Sequence, residues 1–157
     1  PISEMARGTG LLESTAKDNP GKDSIAMFGI PSAESHASYT TASYGWEEFV
    51  QQVCGEKLTF CQRYLGYAGN EAVDRLPAGK GVLYRMLNLL NESRDNINLA
   101  RFAYMLGRME PPKDSPAYDS YAKVREKLYG WYQDKAARKQ LMTALELIIY
   151  RIREKGE

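Results

Sequence analysis

The segment Asn98-Leu-Ala-Arg-Phe-Ala-Tyr-Met-Leu-Gly-Arg-Met109 decides the reading of this chain. Leu99, Phe102, Ala103 and Leu106 recur at the spacing of a buried helical stripe. Arg101 and Arg108 stand two turns apart on the other side. A helix that packs along one face and displays arginines along another suits a polyanionic partner. The segment therefore predicts a helical module that contacts RNA or DNA.

The same periodicity extends outward in both directions. Ahead of this helix, Leu83, Met86, Leu87 and Leu90 predict another from about Lys80 to Glu92, entered through a turn at Leu76-Pro-Ala-Gly79. Asp95-Asn96 offers the cap of the helix carrying Arg101, and Pro111-Pro112 ends it, because proline cannot continue a helix. Ser115 and Pro116 open the next, with Tyr121, Val124, Leu128 and Trp131 inward and Gly130 weakening its last turn. A last helix is expected from about Lys135 to Arg153, with Ala137, Leu141, Ala144, Leu145, Ile148 and Ile152 inward.

Upstream, Trp46, Phe49, Val50, Val53, Cys54, Leu58, Cys61 and Leu65 keep a 3.6-residue stripe from Tyr44, and Gly66 with Gly69-Asn70 supplies a stop. Residues 1–43 mix Gly8, Gly10, Pro20, Gly21, Gly29 and Pro31 with a Ser/Thr/Ala-rich stretch. They are expected to be irregular, with one small docking patch at Met27-Phe28. No stretch alternates as a strand. The fold expected is all-α: a compact bundle of about five helices over residues 44–157, preceded by a flexible N-terminal extension or linker over residues 1–43.

The chain has 157 residues, enough for one domain with a real core. No apolar run approaches the roughly 18 residues that span a bilayer, so no membrane is expected. Cys54 and Cys61, on one helix, would lie about 10 Å apart, beyond disulfide reach. Two reduced, half-buried cysteines suit an intracellular, cytoplasmic protein. The net charge of +1 hides an asymmetry: residues 1–78 balance to −4 and residues 79–157 to +5. Basic charge is thus gathered in the second half, beside aromatic residues on successive helices.

The residues that common catalytic chemistries need are missing. His36 is the only histidine and falls in the N-terminal stretch, where it is ill placed for a nucleophilic triad or an Arg…His helical ribonuclease motif. Acidic residues are scattered singly, mostly four residues from a Lys or Arg, as on solvated helix faces. Gly79-Lys80-Gly81 lacks the first glycine and the hydroxyl residue of a phosphate loop. The expectation is a chain that is not an enzyme and holds no metal or cofactor.

A binding surface remains. Lys80 and Arg85 on one helix, Arg101 and Arg108 on the next, Lys123 and Lys127 on the third, and Lys135, Arg138 and Lys139 opening the last form a candidate phosphate-binding array. Tyr84, Tyr104 and Tyr132 are interleaved and could add stacking on bases.

These residues resemble a family. Leu76-Pro-Ala-Gly-Lys80, then Leu99-Ala-Arg-Phe-Ala-Tyr-Met-Leu-Gly-Arg108, then the aromatic-rich stretch to Tyr150 is similar to the small helical subunit of type III (Csm-like) CRISPR–Cas effector complexes. Tyr104-Met-Leu-Gly-Arg108 matches that family's Tyr-x-x-Gly-Arg element, and Ala144-Leu145 with Tyr150 its closing helix. The Leu-Thr-Thr-Ser opening is replaced by Leu76-Pro-Ala-Gly79, and Gly81-Val82 follows Lys80 where an arginine is expected, leaving Arg85 as the substitute. The resemblance implies a structural subunit without an active site. It would bind guide RNA and target RNA through Lys80, Arg85, Arg101, Arg108, Lys123, Lys127 and Lys139, and pack against neighbouring subunits, copies of itself included. Two rivals stand beside it: a helical protein–protein adaptor, and a helix-turn-helix DNA-binding regulator. The second is opposed by the inward setting of Phe102 and Leu106 and by the few base-reading side chains near Arg101.

Overall fold

The computed structural model describes residues 2–28, 42–65, 75, 76, 78–92 and 95–154. The chain divides into two compact units, residues 1–52 and 53–157.

In the first unit, α1 (Ile2–Lys17) is followed by two short antiparallel strands, β1 (Ser24–Met27) and β2 (Ala42–Gly45), in the register Ser24 opposite Gly45 and Met27 opposite Ala42. A helix and a strand therefore stand where an irregular stretch was expected, and Met27 of the anticipated docking patch is a ladder residue. The helix forms despite Gly8 and Gly10 because local bonds support it. Thr9 and Thr15 donate back to the carbonyls of Met5 and Leu11, and Lys17 pairs with Glu13 one turn earlier. The turn into β1 carries two residues of positive φ, Gly21 at 84° and Lys22 at 56°. Asn19 Nδ2 donates to Ser43 Oγ at 2.6 Å, and Ala42 and Tyr44 are buried. His36, Gly66 and Gly69-Asn70 lie outside the described residues.

From Trp46 the chain is helical to Leu65, but in three parts: α2 (Trp46–Glu48), a π-helical stretch (Phe49–Leu58) and α3 (Thr59–Leu65). Val53, Cys61 and Leu65 of the expected stripe are inward, and the wider i→i+5 turn adds Lys57 to their line. Val53, Lys57, Cys61 and Leu65, each four apart, are buried, whereas Trp46 and Val50 are exposed.

The second unit is the helical bundle the periodicity predicts. Its helices are α3, α4 (Lys80–Asn91), α5 (Asn96–Gly107), α6 (Tyr118–Gln133) and α7 (Lys135–Glu154). Asp95 caps α5 by accepting from the Asn98 amide at 2.8 Å, as its position predicts. Ser115 accepts from the Ala117 amide in the turn before α6, so that helix opens later than Pro116 and continues through Gly130 to Gln133.

Helix α7 is the centre of this unit and packs on α3, α4 and α6, while α5 packs on α4 and α6. Leu141, Ala144, Leu145, Ile148, Ile149 and Ile152 are buried along it, at the i, i+3, i+4, i+7 spacing of one broad apolar stripe. Phe102 stacks on Tyr132 with ring centroids 4.4 Å apart, joining α5 to α6. Tyr121 Oη donates to the Leu106 carbonyl at 3.1 Å across the same pair. Cys54 and Cys61 are free thiols, and complete burial pushes Cys61 up to about 12.

Candidate nucleic-acid interface

Helix α5 places Asn98, Phe102, Met105 and Leu106 inward. Its opposite periodicity gives a narrow outward stripe of Ile97, Arg101, Tyr104 and Arg108, all exposed. Tyr104 is 67% exposed and lies within a turn of either arginine. Arg101 makes two contacts from Nη1, a part-buried one to Asn98 Oδ1 at 3.2 Å and an exposed, weak one to Glu92 Oε2 at 3.5 Å. Such an exposed pair contributes little to stability and exchanges readily for a phosphate. Arg108 caps the C-terminus of α5, where the macrodipole also favours a cation. The stripe lies on the flank of α5 away from Ala103 and Gly107, which face α6 across a cavity also lined by Ala122, Arg125, Glu126 and Tyr129.

The remaining cations do not share this stripe. On α4, Lys80 and Arg85 are five residues apart, about 140° around the axis. Lys80 and Tyr84 face α7, beside Ile149, Ile152 and Arg153, and Arg85 is exposed on the flank away from α7. On α6, Lys123 and Lys127 are exposed together, on the flank opposite the cavity shared with α5. Lys127 Nζ bonds Glu56 Oε1 at 2.9 Å and lies 5.3 Å from the Trp131 ring centroid. Lys139 is half-buried and engaged in contacts of its own.

Two expectations of the array change outright. Arg138 is only 6% exposed: Nε donates to the Leu90 carbonyl at 2.6 Å, and Nη2 donates to the carbonyls of Glu92 at 2.5 Å and Leu89 at 3.4 Å. It satisfies the open C-terminal carbonyls of α4 and presents no charge to a ligand. Tyr132 is likewise interior, with the Arg138 guanidinium 4.6 Å from its ring centroid. The buried Lys57, which sequence reasoning did not single out, pairs with Glu56 and lies 5.2 Å from the Trp131 ring centroid. Burial pushes the Glu56 carboxyl up, but hydrogen bonds from Lys57 and Lys127 outweigh this and hold it below the usual range. The Lys57–Glu56–Lys127 cluster thus fixes the end of the π-helical stretch against α6.

No group of three or more His, Cys, Asp or Glu side chains that could hold a metal ion occurs among the described residues, and none of their helices is long and apolar enough to cross a membrane.

Among the described residues, the second unit is thus a bundle of helices that carries an exposed Arg–Tyr–Arg stripe on α5. Residues 73–154 match the family model of the CRISPR RNA silencing complex Cmr2 subunit, second helical domain, and the chain belongs to that family. The expected kinship with type III CRISPR–Cas effector proteins therefore holds.

More particularly, the chain is 37% identical over 155 residues to the CRISPR system single-strand-specific deoxyribonuclease Cas10/Csm1 (subtype III-A) of Mycobacterium tuberculosis. It is 34% identical over 157 residues to the protein of that name from Streptococcus thermophilus and 31% over 154 residues to the one from Enterococcus italicus. Each match covers 98% of this chain, but the chain spans only 17%, 18% and 17% of those relatives' lengths. The expectation that the chain stands outside enzymes is corrected here, since the relatives are named as deoxyribonucleases. Motifs searched within 157 residues report on those residues alone, and most of each relative lies beyond the matched segment.

Proposed function

We propose that this chain is a helical part of a Cas10/Csm1-like subunit of a type III CRISPR–Cas effector complex, a protein whose relatives are named single-strand-specific deoxyribonucleases. Within such a subunit the helical bundle of the second unit, residues 53–157, holds the guide RNA–target RNA duplex through phosphate contacts and packs against neighbouring subunits. The observation that carries this reading is the outward stripe of α5, where Arg101 and Arg108 are exposed on either side of Tyr104 and no strong ion pair holds them among the described residues. Arg85 extends it from the flank of α4 that α7 leaves open. Lys123 and Lys127 belong to a second surface, of which Lys127 is already bound to Glu56, and the half-buried Lys139, on α7, stands apart from the α5 stripe. Lys80 belongs to a third.

A second reading rests on Tyr104 itself. A tyrosine 67% exposed between two arginines is suited to stack on an unpaired base, as single-strand-binding surfaces do. In that case the strand would be single, in keeping with the substrate in the relatives' name.

The test is binding of labelled single-stranded RNA, RNA duplex and single-stranded DNA to the wild type and to Arg101→Ala/Arg108→Ala, at two salt concentrations. The duplex reading expects affinity to fall steeply with salt and the slope to drop by about 2 in the double variant, one per phosphate lost. Preference for either single strand, with a further loss in Tyr104→Ala, favours the second reading. Salt-insensitive binding, or none by folded protein, overturns both and leaves the adaptor reading.

A further inference from the structure

We propose that the cavity between the start of α4 and the end of α7 is a mononucleotide subsite, which takes one nucleotide of a strand with its base on an apolar floor and its phosphate between two cations. The inference rests on the nucleic-acid reading above and adds a second point of contact, distinct from the α5 stripe.

The cavity holds about 220 Å³ and is lined by Lys80, Leu83, Tyr84, Ile149, Ile152 and Arg153. Leu83 and Ile149 are buried and give it an apolar floor, while Lys80, Tyr84 and Arg153 are exposed at its rim. That volume falls below the roughly 300 Å³ at which pockets begin to hold whole drug-sized ligands. A base suits it, with the sugar and phosphate of the nucleotide carried outside, at the rim beside Lys80 and Arg153. Lys80 and Tyr84 sit one turn apart on α4, so a cation and a ring face the same space.

Charge selects the class of ligand. Among the described residues neither Lys80 nor Arg153 makes an ion pair, and none of those that line the cavity carries a carboxylate. Two cations at the rim of an apolar floor favour an anion with a hydrophobic body. The first turn of α4 adds to this preference, since Gly79 provides no capping side chain for its amide groups. The larger α5–α6 cavity, about 520 Å³, sets Arg125 beside Glu126 and has no such preference. A base laid against Tyr84, 43% exposed, would gain stacking of the kind that single-strand-binding proteins use.

The test is a titration of the whole 157-residue chain with AMP, adenosine and inorganic phosphate, followed by NMR at the Tyr84 ring and the Ile149 and Ile152 methyl groups. The expected result is saturable shifts with AMP at roughly millimolar concentration, the affinity of a weak single-site ligand. Adenosine and phosphate should each bind at least tenfold more weakly, because each supplies half of the contacts. Lys80→Gln/Arg153→Gln, both at exposed positions, should abolish the advantage of AMP over adenosine. Tyr84→Leu should abolish its advantage over phosphate. Absence of shifts at the two isoleucines, or equal shifts with AMP and phosphate, overturns the subsite and leaves an unspecific basic rim. Because AMP is not a polymer, its binding is read independently of the α5 stripe. Failure of oligonucleotides to depend on Arg101 and Arg108 would remove the broader reading while these shifts decide the cavity.

Discussion

Arg138, at the first turn of α7, donates its Nε hydrogen to the carbonyl of Leu90, at the last turn of α4, at 2.6 Å. The residues are 48 positions apart, so one guanidinium ties two helices that the chain reaches by way of α5 and α6. Its Nη2 adds the carbonyls of Leu89 and Glu92, and the planar group rests over Tyr132. A buried cation is tolerable here because its hydrogens meet acceptors that the helix end leaves open.

Arg138→Ala should therefore lower unfolding free energy by about 2–4 kcal/mol, because it leaves buried carbonyls without donors. Arg138→Lys keeps the charge but not the planar fork, so it should recover only part of that loss. Urea unfolding of the three proteins checks this, and an alanine variant as stable as wild type would remove Arg138 from the frame of the bundle.

Tyr132 gives the opposite expectation. Its ring stacks on Phe102, but its hydroxyl is buried and has no hydrogen-bond partner among the described residues. Tyr132→Phe keeps the stack and removes an unsatisfied group, so it should raise stability by about 1 kcal/mol. A measured loss in urea would show that the hydroxyl is satisfied in solution.

These two residues also show where sequence reading reaches its limit. The periodicity of Leu83, Met86 and Leu90, or of Leu141, Leu145, Ile148 and Ile152, is set by helix geometry and is legible without a structure. The cap at Asp95 is legible for the same reason, because it depends on neighbours in the chain. The sequence places Arg138 in a surface array, since it displays a cation but not the carbonyl that the cation meets 48 residues away. The burial of Lys57 is not legible in the sequence, because a π-helical turn, not an α-helical one, carries it inward beside Trp131. The helix over Ile2–Lys17 lacks a clean apolar stripe, with Ile2, Met5 and Leu11 exposed, so periodicity had nothing to report there. Among the three interleaved tyrosines, Tyr84 and Tyr104 reach solvent and Tyr132 does not, a division set by which flank of each helix its neighbours cover.

Glu146 on α7 supplies a pH-dependent prediction. Burial pushes its carboxyl up to about 7, from an ordinary value of about 4.3 in the unfolded chain. Between those values the folded protein holds a proton that the unfolded chain has released, so stability falls as pH rises through this window. Below it both states are protonated and the effect vanishes; above it the full penalty of a half-buried carboxylate remains. Glu146→Gln, which cannot ionise, should thus have a higher Tm than wild type at pH 8, and the gap should close as pH is lowered towards 4. Thermal unfolding followed by circular dichroism over that range tests this directly. A gap that stays constant with pH would mean that the carboxyl titrates alike in both states and that its burial is relieved by water.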